Sequence, residues 1–352
     1  MALEDRVLEL AGEVGPLDEE ATARARERHL MLTKPQGSLG RLEDLGVRLS
    51  GMAGEVPPPT PEDPAVVICA GDHGVLARGV SPWPKEVTAA MVGSFCAGDA
   101  AANAIARTVG ARLSVLDVGV ASGLKRHPLL RTARVRPGTE DLSRGPSMSR
   151  EDAARAITRG AGIAEELIES GVDLLVTGDM GIGNTTPAAT LISAFTGRPP
   201  EEVTGRGTGI DDEKFELKVR VVEEALWLHE PDSGDPLGSL AALGGLEHAA
   251  IVGIVLVGAV YGVPVVLDGV VSNSAALVAH ALVPDCSSYL IAGHLSVEPG
   301  AAAALKHLGL EPVLDLRMRL GEGTGGLLAV PVVQAAARVL GEMATLEEMG
   351  VG

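Results

Sequence analysis

The 352-residue chain has almost no aromatic side chains: two Trp, two Tyr and three Phe, 2% of the total. A core built without rings must be aliphatic and alanine-rich, the composition of parallel strands covered by helices. Cysteine is nearly as scarce. Cys69, Cys96 and Cys286 show no CxxC spacing, which excludes a disulfide framework and a cysteine zinc site and leaves buried free thiols as the expectation. Positive charge is also short, with 29 basic residues against 47 acidic ones and a net charge of −18. That balance argues against nucleic acid and anionic membranes as partners, while a small anion held by local amides and one or two cations remains compatible with it. The first residues, MALEDRVLEL, lack a basic segment followed by an apolar one, so no signal peptide and a cytoplasmic location are expected.

Several catalytic signatures are missing as well. No glycine loop has the GxGxxG spacing of a dinucleotide site or the GK[ST] of a P-loop. No GxSxG elbow marks a serine hydrolase. His73, beside Asp72, and His294 lie on separate strands without HxH or HExxH spacing, so no metal site is expected; His73 alone reads as a packed or capping histidine. No cofactor is implied.

Hydrophobic residues make up 46% of the chain, enough for a sizeable core. The longest apolar run, Ala249 to Leu267, approaches membrane-span length. Gly262-Val263-Pro264 interrupts it, which predicts a buried helix feeding a short strand. Apolar strands are predicted at Ala65–Ala70, Arg112–Val118, Leu174–Thr177, Val263–Leu267, Tyr289–Ala292 and Val313–Asp315. Helical stretches fall between them at Val87–Arg107, Arg150–Ser170, Thr186–Phe195, Lys214–His229, Leu246–Val260 and Ala301–Leu308. This alternation predicts an α/β fold, a Rossmann-like mostly parallel sheet with helices on both faces. The N-terminal stretches Leu8–Arg26 and Leu39–Met52, the second with Ser38 as its cap, and the tail Val330–Met349 also read as helices. With the proline-rich Pro57–Pro64 as a boundary, residues 1–56 with 330–352 form a small helical domain and 57–329 a large substrate-binding and catalytic one.

In such sheets ligands sit beyond the carboxyl ends of the strands. Asp72, His73, Asp179, Asp268, Ser296 and Glu298 are expected there. The densest motif, Gly178-Asp179-Met180-Gly181-Ile182-Gly183-Asn184-Thr185-Thr186-Pro187, follows a strand and opens a helix. Its glycines let backbone amides approach an anion at a helix N-terminus; the plainer alternative is a turn capped by Asn184 or Thr185. Gly205-Arg206-Gly207-Thr208-Gly209 is a second glycine loop, with Lys218 in the helix after it. A phosphate clamp would want such a cation, although a helix lysine taken alone is ordinarily a solvated surface charge. Gly321-Glu322-Gly323-Thr324-Gly325-Gly326 sets one carboxylate among glycines, either dangling in solvent or presented to a site.

These motifs occur with KPQGSLGRLE (Lys34–Glu43), AGDHGV (Ala70–Val75), GVSPWPKEVT (Gly79–Thr88), LGGLEHAAIVG, LDGVVSNSAAL, SVEPG and LGEGTGG. As an ordered set, spanning nearly the whole chain, they resemble the nicotinate-nucleotide–dimethylbenzimidazole phosphoribosyltransferases of cobalamin nucleotide-loop assembly. The resemblance implies transfer of 5-phosphoribose from nicotinate mononucleotide to a benzimidazole nitrogen, giving α-ribazole 5′-phosphate and nicotinate with inversion at C1′. It implies Glu322 as general base. Asp179 falls where family members commonly carry Glu, one methylene longer, with a role in stabilising an oxocarbenium-like ribose. Gly181, Gly183, Asn184, Lys218 and Ser296 would hold the ribose phosphate. Ser81, Lys85 and Glu86 match the loop near the base, and Met180, Leu320 and Val87 would wall an apolar slot for it. The resemblance also implies a homodimer.

Two other readings suit the same loops: a phosphosugar or nucleotide-sugar isomerase, which needs one substrate only, and a non-catalytic nucleotide-binding module. Product analysis with and without a benzimidazole separates the first from the transferase. Insensitivity to loss of the Glu322 carboxylate would mark the second.

Overall fold

The computed structural model describes residues 2–350. Three helices come first, α1 (Leu3–Gly12), α2 (Glu19–Met31) and α3 (Arg41–Ala53). Then follow β1 (Pro64–Gly71), α4 (Glu86–Ala97), α5 (Ala101–Val109), β2 (Arg112–Gly119), β3 (Leu130–Thr132), α6 (Arg150–Glu169) and β4 (Leu174–Met180). The second half contains α7 (Thr185–Thr196), α8 (Pro200–Val203), α9 (Asp212–His229), α10 (Pro236–Leu243), α11 (Leu246–Val260) and β5 (Val265–Leu267). It closes with α12 (Val270–Leu282), β6 (Leu290–Ala292), α13 (Pro299–His307) and α14 (Thr324–Glu342).

Among the described residues the six strands form one sheet in the order β3-β2-β1-β4-β5-β6. Every pairing is parallel, and the order reverses between β1 and β4. In open parallel sheets a ligand crevice forms at the carboxyl ends of the strands, at that reversal. β1 and β4 are buried along their whole length, as strands covered on both faces must be. α6 and α11 pack on one side of the sheet, α4, α5 and α14 on the other.

The apolar run at Ala249–Leu267 is divided between buried α11 and β5. Glycine lets α11 sit close to α6. A Cβ on Gly253 would lie 2.0 Å from the Ile157 carbonyl oxygen, and one on Gly160 would lie 1.8 Å from that of Ala250. Ala25 of α2, Leu32, Val47 of α3 and Leu340 of α14 form a satellite apolar cluster.

Several sequence expectations are corrected. Leu8–Arg26 is not one helix: Gly15-Pro16 separates α1 from α2, because proline lacks the amide a helix interior needs. The expected Val87–Arg107 helix breaks at Gly98, which takes φ +84° as the C-cap of α4, a conformation glycine adopts readily. Ser38 caps nothing; α3 starts after Gly40, with no side-chain cap. Leu314 makes only an isolated bridge to His294, so Val313–Asp315 is not a strand. The short β3 and the helices α10 and α12 lie outside the expected elements. The tail helix starts at Thr324, not Val330, so the glycines after Glu322 belong to its first turn.

Candidate active site at the sheet crest

A cleft opens over the ends of β4 and β5. It is lined by Ser81, Asp179, Gly181, Ile182, Gly183, Asn184, Thr185, Lys218, Ser296, Glu298, Leu320 and Gly321, with Arg206, Arg319 and His294 also on its walls. Eight residues expected from sequence meet there: Asp179, Gly181, Gly183, Asn184, Lys218, Ser296, Ser81 and Leu320. Four of the expected residues stand back from that lining: Glu322, next to Gly321 on the rim, and three residues of the base slot. Met180 is buried as the last residue of β4, Val87 is half-buried and Glu86 is exposed on the first turn of α4.

The glycine turn after β4 is held from two sides. The Ile182 amide donates to Thr88 Oγ1 at 3.1 Å, tying the turn to α4. Gly183 takes φ +92°, a conformation costly for residues with a Cβ. Asn184 sits at the N-cap of α7 without capping it. Its side chain instead donates to Asp179 Oδ2 at 2.8 Å. At the head of α7 the Asn184 amide donates to the Gly181 carbonyl and the Thr186 amide to the Gly183 carbonyl, each at 3.1 Å.

Lys218, Arg206 and Arg319 bring positive charge to the same cleft. Lys218 is only 1% exposed, although a lysine on a helix is ordinarily a surface charge. Its ammonium donates to Thr185 Oγ1 at 2.8 Å and to the Gly205 carbonyl at 2.9 Å. Burial pushes its pKa down to about 8, against the pull of Glu298. The Gly205–Gly209 loop is pinned by the Gly207 amide donating to Glu298 Oε1 at 2.9 Å and by Arg319 donating to the Gly207 carbonyl at 2.7 Å. Arg206 lies over the Phe215 ring, 5.0 Å from its centroid, and pairs with Asp212.

Glu322 is 5% exposed. It does not dangle from a loose loop. Gly321, Glu322 and Gly323 take φ +82°, +63° and +79° in succession. For Glu322, an L-residue in the left-handed region, this costs roughly 1–2 kcal/mol. The turn is clamped from below. A Cβ on Gly178 would lie 3.0 Å from the Glu322 carbonyl carbon, and one on Gly323 2.6 Å from Val66 Cγ2. Asp268, at the end of β5, accepts the amides of Gly325 (2.7 Å), Gly326 (3.1 Å) and Gly323 (3.1 Å). The carboxylate thus neutralises the positive end of α14 and holds the turn that carries Glu322. His294 Nε2 lies 3.5 Å from the same carboxylate.

The Glu322 side chain turns toward the start of α5, where the Ala102 amide faces it. Its Oε2 is buried with no hydrogen-bond partner among the described residues. Burial raises its pKa against the pull of the Ala102 amide, and the Asp268 charge adds to the rise. Asp179 is raised well above the ordinary carboxyl range, first by burial and then by the charges of Asp268 and Glu247. Paired carboxyls displaced in this way are a mark of functional sites.

Sequence reasoning missed Thr88, Thr185, Arg206 and Arg319. The RGTG loop hinted at Arg206; nothing local marked Arg319, whose place depends on a loop 112 residues away in sequence. His73 and His294 do not share a ligand set: each is committed to a different carboxylate, Glu247 and Asp268.

A family model described as "Phosphoribosyltransferase" matches residues 14–351. The nicotinate-nucleotide–dimethylbenzimidazole phosphoribosyltransferase of Salinispora tropica is 53% identical, with 96% of this chain and 97% of that protein covered. Its namesake from Chloroflexus aurantiacus is 51% identical, with 99% of each covered. The crystal structure of the enzyme of that name from Thermus thermophilus superposes with a TM-score of 0.91 at 47% identity, over 96% of this chain and 99% of the other. The chain therefore belongs to the nicotinate-nucleotide–dimethylbenzimidazole phosphoribosyltransferase family and is an enzyme of that class.

Proposed function

We propose that the crest cleft transfers 5-phosphoribose from nicotinate mononucleotide to 5,6-dimethylbenzimidazole, with Glu322 as general base. One benzimidazole nitrogen attacks C1′ with its lone pair. The C1′–N bond to nicotinate breaks, and its electron pair neutralises the pyridinium nitrogen. Glu322 takes the proton from the other benzimidazole nitrogen, leaving α-ribazole 5′-phosphate. The observation that carries this reading is the buried, unpartnered Glu322 Oε2 on a strained and clamped turn. A polar atom left unsatisfied in the protein is costly, and a general base must keep an oxygen free for the incoming proton.

The polar groups gathered in the cleft suit the donor. Lys218, the Gly181–Gly183 turn, Asn184 and Ser296 would take the phosphate and ribose. Asp179 would face the ribose at C1′, its carboxyl oriented by the Asn184 side-chain amide. Ser81 and Leu320 on the cleft wall, with Met180, Val87 and Glu86 behind them, would receive the base. Two further parts of the proposal are a cytoplasmic homodimer and a small helical domain from residues 1–56 with 330–352. The cluster of Ala25, Leu32, Val47 and Leu340 supports that domain, while Val330, Val333, Ala336 and Ala337 of α14 pack in the main core; Met1, Val351 and Gly352 lie outside the described residues.

The direct test incubates the protein with nicotinate mononucleotide, with and without a panel of bases, and reads products by mass. α-Ribazole 5′-phosphate and nicotinate should appear together and only when the benzimidazole is present. Consumption of the nucleotide without any base would remove the transferase reading.

A further inference from the structure

Beneath the crest lies a buried charged cluster that the transfer chemistry does not use. Glu247, on the first turn of α11, is wholly buried. Its Oε1 lies 2.7 Å from His73 Nε2 and 2.9 Å from His248 Nδ1. In each contact an imidazole nitrogen sits within hydrogen-bond distance of the carboxylate. Both imidazoles are buried, and they meet edge to face with centroids 6.1 Å apart. Burying such a group in an aliphatic core carries a desolvation cost that packed aliphatic side chains would avoid.

The chain is shaped around this cluster. A Cβ on Gly245 would lie 2.5 Å from His73 Cε1 and 2.6 Å from Glu247 Oε2. One on Gly71 would lie 3.0 Å from Glu247 Oε2, and one on Gly181 3.0 Å from His73 Nε2. Three segments, the end of β1, the turn after β4 and the start of α11, thus lack side chains where the imidazole and carboxylate fit. Gly181 and Gly183 belong to the turn that lines the cleft, and His73 lies directly under it, its Cβ 4.0 Å from where a Cβ on Gly183 would stand.

We propose that Glu247, paired with His73 and His248, is a positioning residue for the phosphorylated donor: it seats His73 beneath the Gly181–Gly183 turn and so aims that turn's amides into the cleft. The proposal rests on the reading above that this turn receives the ribose phosphate. Despite its burial, the two histidines hold Glu247 well below the ordinary carboxylate range, in keeping with a permanently charged anchor. The other ionisable groups facing it are Cys69 on β1 and Asp179 on β4.

The test compares His73→Gln, which keeps a side-chain donor of similar reach, with His73→Leu and Glu247→Gln, in the full-length protein. Binding of nicotinate mononucleotide and of its unphosphorylated riboside is measured by calorimetry, alongside kcat and KM. We expect His73→Leu and Glu247→Gln to weaken nucleotide binding and raise its KM by about tenfold or more, with kcat within about threefold. Riboside affinity should hardly move, and His73→Gln should restore most of the loss. Equal weakening of nucleotide and riboside, a loss confined to kcat, or a His73→Gln variant as weak as His73→Leu would each overturn the positioning role. Should Glu247→Gln fail to fold, the His73 pair decides alone. If the unaltered protein binds riboside as tightly as nucleotide, the phosphate reading itself fails, and the proposal with it.

Discussion

Glu322 and Lys218 are each held in a state that water would not choose, one with a bare buried oxygen, the other as a buried ammonium. If Glu322 takes the benzimidazole proton, Glu322→Gln should lower kcat by about a hundredfold or more while nicotinate mononucleotide still binds, as loss of a general base does. Near-normal turnover in that variant would end the assignment. Lys218 sets a pH limit on the donor. Its ammonium, with a pKa pushed down to about 8 by burial, is charged below that pH and neutral above it. Donor affinity should therefore fall as pH rises through about 8, by at most about tenfold per unit for one proton. Calorimetry from neutral pH upward reads this slope, and Lys218→Met should abolish it. A flat profile in the unaltered protein would mean that Lys218 does not hold the phosphate.

At the scale of elements, glycine decides which helices can approach. The α6–α11 crossing depends on Gly160 and Gly253, each of which leaves room for a carbonyl of the other helix. Gly253→Ala must push α11 off α6 and should destabilise the fold by about 1–3 kcal/mol. Gly162, also on α6, is exposed and has nothing within 4 Å of where a Cβ would stand. Gly162→Ala should stabilise by about 0.5–1 kcal/mol, through helix propensity alone. Urea unfolding of the two variants tests both signs. A destabilised Gly162→Ala, or a neutral Gly253→Ala, would contradict the packing described.

Across the whole molecule the net charge of −18 acts against the compact state by self-repulsion. Surface ion pairs offset this little, since exposed pairs contribute roughly 0–1 kcal/mol each. Raising ionic strength from about 0.01 M to about 0.15 M shortens the screening length from about 30 Å to about 8 Å. The melting temperature should rise, by roughly 1–2 °C for each kcal/mol of repulsion relieved. A fall on adding salt would show that the ion pairs outweigh the repulsion.

Composition and local pattern were enough to read the α/β alternation, the parallel sheet and the three glycine loops, because helix period, strand runs and turn residues are short-range properties. Asp179, Lys218 and Glu322 stood out as candidates for the same reason, each standing in or beside an unusual local motif. The motif order was enough for the family. Tertiary structure alone decided whether Glu322 was buried or loose, because the clamp on its turn comes from Val66 on β1, Gly178 on β4 and Asp268 just after β5. It alone brought Arg319 to Gly207, across 112 residues of chain, and Glu247 of α11 to His73 beyond β1. The strand reversal between β1 and β4 places those segments side by side, and it follows from long-range pairing that no local window of sequence contains.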